Sequence, residues 1–324
     1  MTNRKRVLVA NSVTGPGWDL LRKRPDIDAI GFDPSLTVEA WRALLPGANG
    51  IALDGRPFQA PEFACADAMQ VIARVGVGYD AVDVAGCTAH GILLMTSGTA
   101  NSVTVAEHAM SLMLELARCT ARYDAMVREG NWEKRMASLR LDLGGRTVLV
   151  VGFGRIGSRI AARLRAMEMQ VLVADPYVDA GRIRAAGCEP LTLAAGLPRA
   201  DFVTVHCPKN AETTGLLGTA ELAAMKRGAF VVNTARGGIV DEAALYAALA
   251  SGHLAGAGLD VFVEEPVPTD HPLLQLPNVI VGPHIAGNSV EARERSSIIT
   301  INNILSVLDG APNVENVINK EALR

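Results

Sequence analysis

Three side chains far apart in the chain, Arg236, Glu265 and His284, each follow a short apolar run and each suit one part of a proton and charge-transfer reaction. Imidazole is the side chain that titrates nearest neutrality, so His284 can give or take a proton at physiological pH. A carboxylate beside an imidazole orients the ring and favours its protonated form, which is the part Glu265 would take. Its neighbour Glu264 is expected to be solvated. The planar fork of a guanidinium can polarise a carbonyl and hold a carboxylate at once, which suits Arg236. Each residue alone also has a plain structural reading. An arginine in the turn Ala235-Arg236-Gly237-Gly238 can simply face solvent, and a histidine after Pro283 can simply close a loop. Together they make the set needed to take and give the proton of a substrate hydroxyl. The histidines His90, His108, His253 and His271 have no comparable company along the chain.

A second group of residues reads as a cradle for a dinucleotide. Thr147-Val-Leu-Val-Val151 is suited to a strand buried on both faces, and Gly152-Phe-Gly154-Arg155-Ile156-Gly157 follows it directly. Gly152 can take the angles of a sharp turn, Gly154 leaves room for a pyrophosphate, and Gly157 lets a helix pack closely on the strand. The phosphates would meet the positive end of that helix, with Arg155 beside them. Asp175 ends the next apolar run, 18 residues past Gly157, where a carboxylate can accept both ribose hydroxyls. A 2′-phosphate would be repelled there, so NAD is expected over NADP. With a nicotinamide in reach, the reaction that Arg236, Glu265 and His284 fit is hydride transfer.

These side chains need parallel strands whose carboxyl ends converge. Apolar runs at Val7 to Ala10, Ala29 to Phe32, Ile51 to Leu53, Val71 to Ala73 and Leu93 to Thr96 alternate with helical patterns around Trp18 to Arg22 and Val38 to Leu45. Such alternation predicts a first, smaller parallel sheet. Its fourth strand runs into Arg74-Val-Gly76-Val77-Gly78-Tyr79-Asp80, a turn whose backbone N–H groups could hold a carboxylate or could be a turn without a ligand. Arg74 has two readings, contact with a second anionic group or an ion pair with a neighbouring helix. Ser97 to Ser102 is a polar connection that suits a domain boundary. Thr104-Val-Ala-Glu107 has capping-box spacing and predicts a helix start, with Met110 and Met113 on the apolar face that follows. That helix is long enough to pack outside its own domain, and a homodimer is the simplest partner. Beyond Asp175, runs ending at His206, Thr234, Phe262 and Pro283 place Cys207-Pro208, Arg236, Glu265 and His284 at one edge of a second sheet, where open parallel sheets bind ligands.

Composition excludes several other classes. The chain has 324 residues, enough for two domains, with 49% hydrophobic and 20% charged residues and a net charge of −3. That balance gives no reason to expect nucleic acid or an anionic membrane as partner. Val7-Leu-Val-Ala10 is too short for a secretory apolar core, and no run approaches a membrane span, so a cytoplasmic location is expected. Arg4-Lys5-Arg6 reads as a solvated terminus. The five cysteines are scattered without a CxxC pair, which predicts neither a disulfide framework nor a metal site; they read as small buried hydrophobes.

The chain resembles the D-isomer-specific 2-hydroxyacid dehydrogenase family, which includes phosphoglycerate, glyoxylate/hydroxypyruvate and D-lactate dehydrogenases. The resemblance covers nearly the whole length. It is carried by Gly76-Val-Gly78-Tyr-Asp80, Val105-Ala-Glu107-His108, Gly152-Phe-Gly-Arg-Ile-Gly157, His206-Cys-Pro208 with Thr213, Asn233-Thr-Ala-Arg236-Gly-Gly-Ile-Val-Asp241-Glu242, Asp260-Val-Phe-Val-Glu-Glu265-Pro266 and Pro283-His284-Ile-Ala-Gly287. It implies an α/β architecture of two Rossmann-like domains with parallel sheets and an active site in the cleft between them. The first would be a discontinuous substrate-binding domain of residues 1–102 plus 288–324, the second an NAD-binding domain of residues 103–287. The family's catalytic residues fall on Arg236, Glu265 and His284, and its substrate-carboxylate turn falls on Val77 and Gly78 beside Arg74. Its cofactor contacts fall on Thr104, Gly152, Gly154, Arg155, Ile156, Gly157, Asp175, His206, Cys207, Pro208, Thr213, Thr234, Ala235, Asp260 and Gly287. The implied reaction interconverts a small D-2-hydroxy acid and its 2-keto acid with NAD, with no metal, in a homodimer. Which acid stays open among glyoxylate, hydroxypyruvate, phosphohydroxypyruvate and bulkier ones. A non-catalytic NAD(H)-sensing protein of corepressor type is the alternative. With the chain ending at Arg324, the serine-regulated C-terminal domain of longer relatives is not expected.

Overall fold

The computed structural model describes residues 4–136 and 140–323. The chain divides into two compact units, Met1–Asn101 with Asn288–Arg324, and Ser102–Gly287.

In the first unit, β1 (Lys5–Ala10), β2 (Ile27–Phe32), β3 (Gly50–Leu53), β4 (Val71–Arg74) and β5 (Leu93–Met95) form one parallel sheet in the order β2-β1-β3-β4-β5. The side chains of β1 alternate between two cores. Leu8 and Ala10 join one cluster, Val7 and Val9 another, and all four are fully buried. A strand covered on both faces must be apolar throughout, which is why its sequence reads as a continuous run. The helix Val290–Leu308 buries Ile301 and Ile304 among Val7, Val9 and Ala52, so a segment from the far end of the chain completes this unit. The hydroxyl of its Thr300 donates to the Arg74 carbonyl at 3.0 Å, tying the helix to the end of β4.

The second unit contains β6 (Thr147–Val151), β7 (Gln170–Ala174), β8 (Glu189–Pro190), β9 (Phe202–Val205), β10 (Phe230–Asn233), β11 (Gly256–Leu259) and β12 (Val279–Val281). All are parallel, in the order β12-β11-β10-β9-β6-β7-β8. β6 again divides its side chains, Val148 and Val150 to one core and Leu149 and Val151 to the other. The chain moves outward from β6 to β7 and β8, then returns to the opposite side of β6 as β9. The topological switch point therefore lies between β6 and β9, where an open parallel sheet leaves a crevice at its carboxyl edge.

One local expectation fails. The helix beginning this unit is Ser102–Arg118, so Thr104 and Glu107 lie within it and form no capping box at its start. Glu107 is instead taken by Arg163 of the helix Gly157–Ala166, at 3.0 Å. The cysteines are also less uniform than expected. Cys87 and Cys188 are buried, whereas Cys65, Cys119 and Cys207 are half-buried. Nor are Arg4 and Arg6 merely solvated, since their guanidinium groups donate to the Ile27 and Pro46 carbonyls. Among the described residues no helix is long and apolar enough to cross a membrane, and no group of three or more His, Cys, Asp or Glu could hold a metal ion.

Candidate functional site

The glycine turn stands at the switch point. Gly152 has φ +92°, and a Cβ there would come within 2.8 Å of the Cys207 nitrogen, so the ends of β6 and β9 touch through backbone alone. A Cβ on Gly157 would lie 1.9 Å from the Gly152 carbonyl oxygen; the helix Gly157–Ala166 can approach the turn only without a side chain there. Gly154 differs, because a Cβ would meet nothing within 4 Å. Internal packing gives that position no reason to be glycine, whereas close approach of a ligand would. Among the described residues no acceptor takes the N–H of Gly154, Arg155 or Ile156. Three backbone donors at the positive end of a helix suit a pyrophosphate.

Next to this turn lies a cavity of about 450 Å³ lined by Gly152, Gly154, Asp175, Tyr177, Thr192 and Thr213, among others. Asp175 directly follows β7. Its carboxylate accepts the N–H of Phe153 at 2.7 Å and of Tyr177 at 2.9 Å, which fixes the group at the cavity edge with lone pairs left for hydroxyls. Tyr177 donates its hydroxyl to Glu212, a bridge across this edge that sequence reasoning missed. Glu212 belongs to an Asn210-centred turn, where the Asn210 side-chain oxygen accepts the N–H of Glu212 and Thr213. That Asx pattern is a legible signal for the turn, though not for the bridge. Thr213 is held by the Pro208 carbonyl at 2.6 Å.

At two neighbouring strand ends a buried polar atom lacks a protein partner among the described residues: the Thr234 hydroxyl after β10 and His206 Nδ1 after β9. Buried polar groups are nearly always paired, so their solitude suits a ligand that would supply the partners. The other His206 nitrogen meets the Thr204 hydroxyl at 2.8 Å, and burial pushes this imidazole down to about 3. It is therefore neutral and no proton carrier at physiological pH. Burial also pushes the Cys207 thiol up to about 11, which leaves it protonated and unreactive.

Arg236, Glu265 and His284 lie in the loops that follow β10, β11 and β12. His284 Nδ1 lies 2.6 Å from Glu265 Oε2, while Glu265 Oε1 accepts the Phe262 N–H at 2.9 Å. The two side chains are 46% and 35% exposed, so the imidazole is braced yet reachable. His284 has φ +55°, a conformation uncommon for a residue with a side chain. Asp260 holds it there. Its carbonyl accepts the His284 N–H at 2.8 Å, and its carboxylate accepts the N–H of Ile285 at 3.0 Å and of Ala286 at 2.7 Å. An unpaired carboxylate as deeply buried as Asp260 would cost several kcal/mol, and these charge-assisted bonds offset that cost. Asp260 thus shapes the loop leading from His284 to Gly287. His108 Nε2 approaches it to 3.6 Å, a contact between residues distant in sequence.

Arg236 sits in a turn organised by the buried Asn233, which accepts the Ala235 N–H and donates to the Arg236 carbonyl, both at 3.0 Å. The Arg236 guanidinium lies over its own turn, donating to the Ala235 carbonyl at 2.7 Å. Gly237 presses this turn onto the Glu265 loop, since a Cβ there would lie 1.9 Å from the Phe262 oxygen. Guanidinium, carboxylate and imidazole therefore belong to one continuous set of packed loops. Thr104 lies in the first turn of the helix Ser102–Arg118.

In the first unit, the turn after β4 presents the N–H groups of Val77 and Gly78, which no acceptor takes among the described residues. Arg74 is 9% exposed and its Nε donates to the Gly78 carbonyl at 2.9 Å, so it braces this turn.

Comparison with known proteins agrees with this class of fold. Residues 110–286 match the family described as D-isomer specific 2-hydroxyacid dehydrogenase, NAD binding domain. A D-3-phosphoglycerate dehydrogenase of Archaeoglobus fulgidus is 41% identical over 315 residues, covering 97% of this chain and 59% of that protein. A glyoxylate reductase of Korarchaeum cryptofilum is 38% identical over 271 residues, covering 83% of this chain and 81% of that one. A Thermus thermophilus protein of known crystal structure superposes with a TM-score of 0.87 at 35% identity, covering 97% and 99% of the two chains. The two sheets and the glycine turn define a dinucleotide-binding α/β protein. More particularly, the chain belongs to the D-isomer-specific 2-hydroxyacid dehydrogenase family. It spans little more than half the length of the phosphoglycerate dehydrogenases it matches, 59% and 54% for the first two.

Proposed function

We propose that this protein is an NAD-dependent oxidoreductase that interconverts a small D-2-hydroxy acid and its 2-keto acid. The observation that carries the proposal is the 2.6 Å contact of His284 Nδ1 with Glu265, on loops packed against the Arg236 turn. With Nδ1 engaged, Nε2 is the nitrogen left to hand a proton to the substrate carbonyl oxygen, or to take one from the hydroxyl. Glu265 compensates the charge that comes and goes on the ring. Arg236 holds the substrate carboxylate and polarises the carbonyl. In the first unit, the Val77 and Gly78 amides, in the turn braced by Arg74, are donors of the kind a substrate carboxylate would take. Bound NAD(H) would accept or supply the hydride. The Gly152, Gly154, Arg155, Ile156 and Gly157 turn would hold its pyrophosphate, and Asp175 its ribose. Pro208, Thr213, Thr234, Ala235 and Gly287 lie in the loops after β9, β10 and β12, from which it would be held, while Asp260 acts through the His284 loop.

The substrate is a two- or three-carbon acid on this reading, because the relatives carry the names phosphoglycerate dehydrogenase and glyoxylate reductase. The test is NADH oxidation against a panel of 2-keto acids that includes a phosphorylated one and a dicarboxylate. Turnover of none of them overturns the proposal. NADPH is disfavoured because Asp175 and Glu212 both face the cavity edge where a 2′-phosphate would sit. Fluorescence titration should show NADH binding at least about tenfold tighter than NADPH, and equal affinity would contradict this account.

A homodimer completes the proposal. The helix Thr120–Arg128 buries none of its residues, and Val127, Trp132 and Met136 are 53%, 62% and 73% exposed. A contact between two copies would cover them, and a sedimentation mass equal to one chain would count against it.

A further inference from the structure

We propose that Glu242 and His271 form a second imidazole–carboxylate pair that positions Glu265; the inference rests on the reaction proposed above. In sequence, 29 positions separate His271 from Glu242. Glu242 is the first residue of the helix Glu242–Ala250, which Asp241 caps by accepting the Ala244 N–H at 2.8 Å. Its Oε1 accepts the Val263 N–H at 2.7 Å, and its Oε2 lies 3.2 Å from His271 Nε2. His271 Nδ1 accepts the Leu273 N–H at 3.3 Å. That bond places the ring proton of a neutral His271 on Nε2, aimed at Glu242.

Two consecutive amides of the reactive loop are thus claimed by two carboxylates, Phe262 by Glu265 and Val263 by Glu242. Between them the Phe262 ring lies edge-on to His271, with centroids 5.8 Å apart. The inner pair is more buried than the outer, at 18% and 19% exposure for His271 and Glu242. Other charged groups near the loop are the exposed Glu264, Asp260 beneath His284, and Lys209, whose Nζ would lie 3.2 Å from a Cβ at Gly238. None of these is bonded to the 262–263 amides among the described residues. Glu242 therefore sets where Val263 sits, and through the adjacent Phe262 where Glu265 meets His284. It touches no reacting atom and is a positioning residue. A displacement near 1 Å in such a site costs about 10² in rate, so losing this brace should appear in kcat.

The test compares Glu242→Ala and Glu242→Gln with the unmodified protein. The alanine variant leaves both the Val263 N–H and His271 without their acceptor, and kcat should fall about 10- to 100-fold. The KM for the keto acid and the Kd for NADH should stay within about twofold. Glutamine still offers an oxygen to Val263 and should bring kcat back to within about fivefold of the original. Proton NMR supplies a readout without turnover through the carbon-bound Cε1–H resonance of His284, which does not exchange with water and responds to the contact of the ring with Glu265. In Glu242→Ala that resonance should move or broaden, and in Glu242→Gln it should return. An unmoved resonance with an unchanged kcat overturns the inference, as does a loss of kcat matched by an equal loss of NADH binding. A protein that turns over no keto acid but whose resonance responds as described retains the positioning role and refutes the proposed reaction instead.

Discussion

His284→Ala is expected to lower kcat by about 10² to 10⁴-fold, the usual worth of a positioned acid or base. The ring has one nitrogen committed to Glu265 at 2.6 Å, which leaves the other to carry the proton. His206 is held neutral by burial, and His271 is engaged with Glu242 and Leu273. Binding of NADH should be nearly unchanged, because the glycine turn and Asp175 lie on other strand ends. Steady-state kinetics beside a fluorescence titration separates the two effects. Near-normal turnover would remove His284 from its assigned part, and a proportionate loss of NADH affinity would show that the loop rather than the proton had been disturbed.

Arg236→Ala should be about as damaging, lowering kcat/KM about 10² to 10³-fold, the range for removing one donor aimed at a developing oxyanion. Arg236→Lys should recover only a small part of that loss. An ammonium restores the charge but not the planar fork that grips carboxylate and carbonyl together. The turn itself should survive both changes, since the buried Asn233 holds it through backbone groups. An unaltered melting temperature would establish that. If lysine restored full activity, charge alone would suffice and the bidentate role would be wrong. If alanine left kcat/KM intact, the guanidinium would belong to the turn and not to the substrate.

How much of this is readable in one dimension depends on how local the physics is. β6 and the turn after it are legible because a strand buried on both faces must be apolar throughout, and because a backbone that turns against its neighbours at Gly152 and Gly157 excludes side chains. Asp175 is legible for the same reason, its place being set by one strand and one helix. Arg236, Glu265 and His284 are readable as types of chemistry, and the strand ends say where they would gather. The capping box misleads because Thr104-Val-Ala-Glu107 is a local pattern with a competing distant partner. Arg163, 56 positions away, claims Glu107, and the helix begins two residues before Thr104.

What folding alone decided are the contacts made across large separations. The amino-acid order determined the strands and the glycine turn, because backbone sterics and burial periodicity act over a few residues. It could not say that Glu242 meets His271, that Asp260 holds the His284 loop, or that Tyr177 reaches Glu212. Each of those pairs joins different strand ends or loops, and only the order in which parallel strands lie side by side brings such ends together.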